Sequence, residues 1–126
     1  MLRFALIGLA FASILLAPPV VPAQQAEILV QVSLTAGLRY HEAKTVWAEM
    51  KIGDALTLVR EADNLYDINA VRVEWNGHKL GYIPRSENAG VARQLDRGNR
   101  LSARITRISV ARNHRRKLEF EVFTGI

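Results

Sequence analysis

The chain has 126 residues, no cysteine and a net charge of +5 at neutral pH. A disulfide framework and thiol chemistry are thereby excluded, stability has to come from packing, and the length excludes a motor joined to a binding domain. The charge is uneven. Residues 85–117 carry ten Arg or Lys against Glu87 and Asp96, while residues 27–74 are mildly acidic; such polarity suits a nucleic acid or an anionic membrane surface, and equally a solvated basic face.

Residues 1–23 read as a signal peptide. Arg3 supplies the positive start, residues 4–16 an uncharged apolar run, and Pro18 and Pro19 break that run ahead of the small-residue pattern Val21-Pro22-Ala23. The run is shorter than the roughly 20 residues a bilayer span requires, which favours cleavage after Ala23 over an uncleaved N-terminal anchor. The expected address is the periplasm or the exterior, with no integral membrane span after processing. Residues 24–126 then make one domain with one core.

In that domain, Ile28, Val30, Val32 and Leu34 alternate with less apolar neighbours, the period of a strand with one face on a core. Residues 37–50 show no sustained strand period and fit a loop with a short helix, and residues 55–61 resume strand character. Residues 61–70, Glu-Ala-Asp-Asn-Leu-Tyr-Asp-Ile-Asn-Ala, are dense in turn formers and predict a tight ordered loop. Val71 and Val73 lead a strand to Trp75, Asn76-Gly77 signals a type I′ hairpin, and residues 79–83 return as its partner. Pro84 ends that strand. Ser86 is placed to cap a helix with Ala89, Val91, Ala92 and Leu95 on one stripe and Gly98 at its end. Leu101, Ala103 and Ile105 share one phase and Ile108 and Val110 the other, so a bulge near Thr106 or Arg107 would keep all five inside. Leu118, Phe120 and Val122 form the last strand, reached through a basic tip at residues 113–117. The expected fold is mainly β with one short helix: a small OB-like barrel, closed or nearly so, of five or six strands. Trp47 and Trp75 are expected to pack.

Catalytic signatures are absent: no phosphate-binding Gly-rich loop, no nucleophile elbow, no zinc-protease helix. His41, His78 and His114 stand in separate segments, and their spacing suggests no metal site. Glu61, Asp63 and Asp67 are clustered enough for a metal-dependent nuclease to be weighed, although the calcium-loop pattern is not met.

Four segments are more specific. Gly37-Leu38-Arg39-Tyr40, Leu58-Val59-Arg60-Glu61, the run from Asn64 through Tyr66-Asp67 to Asn69-Ala70-Val71, and Lys79-Leu80-Gly81-Tyr82-Ile83-Pro84 follow in an order that resembles the HIRAN domain. That resemblance implies an OB-like barrel without enzymatic activity or a cofactor, binding the 3′ end of single-stranded DNA. It further implies a terminal-nucleotide pocket from the Arg39-Tyr40 and Tyr66-Asp67 pairs with Asn64, and a phosphate contact from Arg85. Stacking on Tyr40 and Tyr66 would tolerate any base. The arginines would grip phosphate, and the Asp67 carboxylate would accept a terminal hydroxyl while repelling a phosphate. The rival reading keeps the fold but turns the basic residues 112–117 toward an envelope partner: a protein, lipid head group or glycan. A nuclease is the second alternative.

Overall fold

Residues 8–19 and 26–125 are described by the computed structural model. The expected cleavage pattern Val21-Pro22-Ala23 and Arg3 lie outside the described residues. Residues 8–19 form no helix or strand and are exposed, and no helix among the described residues is long and apolar enough to cross a membrane.

Six strands form one antiparallel sheet: β1 (Glu27–Leu34), β2 (Ala55–Arg60), β3 (Val71–Trp75), β4 (His78–Tyr82), β5 (Leu101–Val110) and β6 (Arg116–Gly125), in the spatial order β1-β6-β5-β2-β3-β4. The loop after β1 carries the short helix α1 (Ala43–Val46) between single 3₁₀ turns, and α2 (Ala89–Asp96) lies between β4 and β5. Among the described residues there are thus two short helices against the single one of the expected fold, α1 falling in residues 37–50, whose pattern fits a loop with a short helix.

Hairpin β3–β4 turns on Asn76 and Gly77, both at positive φ (45° and 80°), with Trp75 paired to His78; a left-handed turn matches the twist of the two strands. Gly98, at φ 82°, ends α2, its N–H donating to the Leu95 carbonyl. The β5–β6 ladder shifts register between Ile105 and Arg107, putting the expected bulge at Thr106. The bulge turns Ile108 toward the core, opposite Leu118, but Val110 lies 57% exposed at the hairpin end, where the barrel no longer covers it.

The apolar alternation of β1 misleads in phase. Val30 packs against the core as expected, but beyond the bulge between Leu29 and Gln31 the phase reverses, so that Ser33 is buried while Val32 and Leu34, like Ile28 near the start of the strand, are about half exposed. A one-residue slip exchanges every inward and outward side chain. Ser86 does not cap α2 either: it sits in a 3₁₀ turn, and Asn88 takes the cap position without a capping side-chain bond. The core collects Val71, Val73, Leu80, Ile83, Val91, Ile105, Leu118, Phe120 and Val122, with Leu38 and Val46 from the first loop; Trp75 is buried in it and Trp47 packs against it.

The sheet does not close by a full ladder. Its edge strands β1 and β4 approach each other and join at one bridge, where the Ala36 N–H donates to the Tyr82 carbonyl (2.8 Å) and the Tyr82 N–H to the Ala36 carbonyl (3.0 Å). Gly81 makes this approach possible, since a Cβ there would lie 2.1 Å from the Ala36 carbonyl oxygen. We expect Gly81→Ala to cost about 3 kcal/mol, because backbone cannot yield as a flexible side chain does. Gly90→Ala, in α2 with only the Arg93 side chain within 4.0 Å of the added carbon, should instead gain up to about 1 kcal/mol. Urea unfolding of both variants checks the opposite signs.

Candidate nucleic-acid interface

The loop between β2 and β3 is an ordered polar structure. The Asn64 Oδ1 accepts from the Tyr66 N–H (2.9 Å) and the Asp67 N–H (3.0 Å), and Asp67 Oδ1 accepts from the Asn69 N–H (3.0 Å). Short polar side chains thus supply acceptors that loop backbone cannot find in a ladder. Arg60 braces the far side, donating to the carbonyls of Ile68 and Ala70 while pairing with Asp96 at 3.0 Å.

Glu61 is the hub beneath this loop. Its carboxylate accepts from Asn64 Nδ2 (3.0 Å), the Tyr82 hydroxyl (2.9 Å) and Arg72 (2.7 Å). Burial alone would raise its pKa; the bonds from Asn64, Tyr82 and Arg72 and the charge of Lys79 outweigh that and hold it below 4.5. Nearby, burial and the Lys79 charge lower the pKa of His41, which packs edge-on to Tyr82, against opposing pulls from Glu61 and Glu42.

With the hydroxyl of Tyr82 and the amides of Tyr66 and Asp67 so fixed, Asn64, Tyr66, Asp67 and Arg85 converge on one depression of about 300 Å³, together with Ala36, Ala70, Tyr82 and Ile83. Tyr66 is 86% exposed, so it is not the core tyrosine that its place in a small barrel also allowed. The Arg85 guanidinium donates to the Tyr66 carbonyl and lies 3.9 Å from Asp67 Oδ2, which also accepts from Asn88 Nδ2 at 2.7 Å. Four of the six residues selected from the sequence therefore share one site.

Arg39 and Tyr40 do not line it. They border a second depression of about 350 Å³ with Thr35, Gly37, Leu38, His114, Arg115 and Arg116. Tyr40 is 69% exposed, and the Arg39 guanidinium lies 4.6 Å over its ring. A single clamp of Tyr40 and Tyr66 on one base is thus not the arrangement seen. Ala36 and Gly37, consecutive in the chain, place the two depressions on either side of one segment.

Glu61, Asp63 and Asp67 are not assembled for a metal. Glu61 is engaged by three side-chain donors and Asp67 by Asn69 and Asn88, and among the described residues no group of three His, Asp or Glu could hold an ion. Two contributors went unselected. Tyr82 belongs to the motif Gly81-Tyr82-Ile83-Pro84, but its ring in the depression follows from the bridge to Ala36. Asn88 acts across 21 residues of sequence, a distance at which spacing carries no signal.

Fold and site together define a small OB-like binding barrel whose edge carries a polar loop with the exposed Tyr66 and, beside it, the Arg85 guanidinium. The chain belongs to the HIRAN domain family, whose model matches residues 28–125. Among solved structures, a protein from Lactobacillus plantarum is 31% identical, with a TM-score of 0.69 over 79% of this chain and 96% of that one. The HIRAN domain of human HLTF is 18% identical, with a TM-score of 0.62 over 79% of this chain and 78% of that one, and so shares the fold. No curated protein matches. Family and site support a nucleic-acid-binding module.

Because the folded Glu61 carboxyl titrates below its ordinary value, the unfolded chain takes up its proton first on acidification. Its contribution is complete above pH 4.5 and is lost as pH falls through the folded value. The stability gap between wild type and Glu61→Gln should accordingly shrink as denaturant melts are taken from neutral pH to below about pH 4.5. A gap independent of pH would contradict the hub role.

Proposed function

We propose that this domain binds single-stranded DNA and seats a free 3′ end in the depression formed by Asn64, Tyr66, Asp67, Tyr82 and Arg85. The observation that carries this reading is the convergence of an exposed aromatic ring, a fixed carboxylate and a guanidinium on one concave surface. Tyr66 offers a face on which any base can stack, worth about 1–3 kcal/mol. Arg85 keeps donors free for a phosphate, since its side chain is 70% exposed and its bond to the Tyr66 carbonyl uses one nitrogen. Asp67 retains lone pairs beyond those used by Asn69 and Asn88 and accepts a terminal hydroxyl; a phosphate continuing the strand or capping the end meets its negative charge instead. End selection and base tolerance thus come from different groups.

Tyr66→Ala should weaken binding of a 3′-hydroxyl oligonucleotide by about 5- to 150-fold with the fold intact. Asp67→Asn should narrow the preference for a 3′ hydroxyl over a 3′ phosphate. Fluorescence anisotropy at two salt concentrations measures both, and equal affinity of the wild type for the two ends would rule out end recognition.

Export is part of the same proposal. The apolar run, the proline break and Val21-Pro22-Ala23 support removal of a leader, so the strand met would be DNA outside the cytoplasm. In a bacterial host with a Sec pathway, the exported chain should begin at Gln24 by intact-mass measurement. A full-length cytoplasmic product would refute the address and leave the binding reading standing.

A further inference from the structure

Asn88 reaches the Asp67 carboxylate from outside the polar loop and from within the core. It is 1% exposed, and its Nδ2 donates to Asp67 Oδ2 at 2.7 Å. It also stands at the N-cap position of α2, where asparagine is among the preferred residues because its side-chain oxygen can take a free helix N–H. No such bond is made. Only the backbone serves the helix, the Asn88 carbonyl accepting from the Ala92 N–H (2.9 Å). We propose that Asn88 is a positioning residue: it holds the Asp67 carboxylate apart from the Arg85 guanidinium, leaving the carboxylate open to a 3′ hydroxyl and the guanidinium to a phosphate. The inference rests on the terminal-pocket reading and adds to it the residue that keeps its two charges separate.

Arg85 Nε lies 3.9 Å from Asp67 Oδ2, beyond hydrogen-bond range, although the Arg85 side chain is 70% exposed and has room to approach. Left to themselves, a guanidinium and a carboxylate this close would shut into a forked pair. Such a pair would occupy the hydroxyl acceptor and the phosphate donor at once. Asn88 opposes it, because the oxygen nearer Arg85 already takes the Asn88 amide, while Oδ1 takes the Asn69 N–H at 3.0 Å. The anchor is itself held. In the turn just before it, Glu87 Oε2 accepts from the buried Ser33 hydroxyl (2.9 Å), and Gln31 Nε2 donates to Ser33 Oγ (2.8 Å) and to the Glu87 carbonyl (3.1 Å). Asn88 is therefore tied through its neighbour to β1 as well as to α2, and it holds Asp67 instead of following it. Packing alone does not call for asparagine here, since burying an amide carries a desolvation cost that a leucine of similar size would not incur.

The test reads end selection rather than affinity alone. Wild type, Asn88→Leu and Asn88→Ser are titrated with oligothymidylates that end in a 3′ hydroxyl or in a 3′-deoxy sugar. Leucine fills the space without a donor. Serine caps α2 and so keeps the helix start, but its hydroxyl is a bond too short for Asp67; it carries the test if circular dichroism shows the leucine variant unfolded. Wild type should prefer the hydroxyl end by about tenfold, and both variants should bind the two ends within about twofold of each other. Adding Arg85→Ala should cost wild type about tenfold on the hydroxyl strand and each Asn88 variant about threefold at most, because there the guanidinium is already paired with Asp67. A folded variant that keeps the tenfold preference, even with weaker binding to both ends, would show a merely structural asparagine and overturn the proposal. Equal binding of the two ends by wild type would instead bring down the terminal-pocket reading, and the role of Asn88 with it.

Discussion

The contact of Gly81 with Ala36 is the constraint from which the binding surface follows. Two strands at opposite edges of a six-stranded sheet come within hydrogen-bonding distance only because one of them has no side chain at the crossing. The bridge holds the ring of Tyr82 beside the polar loop. It also fixes where the chain leaves β1, with Ala36 on one depression and Gly37 through Tyr40 on the other. Widening this gap by one methyl group would displace both at once. The glycine acts through backbone proximity, so it is a structural residue with a direct consequence for the site.

On that frame the loop between β2 and β3 is ordered by its own polar side chains. Asn64 satisfies two backbone amides and is itself held by Glu61, which also takes the Tyr82 hydroxyl and the Arg72 guanidinium. An acid with so many donors is poorly suited to general-base or metal chemistry, since its charge is already compensated. Its effect is to preorganise the surface. Tyr66 remains exposed while its backbone is fixed, so less ordering entropy is left to oppose a ligand.

What the sequence made legible follows the range of the interactions. Hairpin β3–β4, the bulge at Thr106 and the end of α2 at Gly98 rest on contacts within a few residues, and the pattern there is unambiguous. The phase of β1 past Val30 is not legible, because a bulge leaves no mark in an alternating apolar run and the buried Ser33 hydroxyl donates to Glu87, 54 residues away. Motif order brought Asn64, Tyr66, Asp67 and Arg85 to one place. It did not separate Arg39 and Tyr40 from them, nor reveal Asn88 and Tyr82, because those placements depend on the bridge and on side-chain bonds across the fold.

The charge asymmetry gains a sharper meaning in three dimensions. Several acids of residues 27–74 are spent as internal acceptors: Asp54 takes the Trp75 indole N–H and the Lys51 N–H, Glu42 the Lys79 N–H, Glu61 three side chains, and Asp67 Asn69 and Asn88. These carboxylates keep their charge, but none of them lines the depression around which Arg39, Arg115 and Arg116 gather. Arg39, Arg115 and Arg116 therefore face solvent with less compensation than a count along the chain suggests, and they do so around a single depression. The folding of the acidic half is what leaves the basic half as a binding field: one set of polar contacts builds the pocket and, by fixing the carboxylates away from the basic depression, leaves its cations to draw a polyanion.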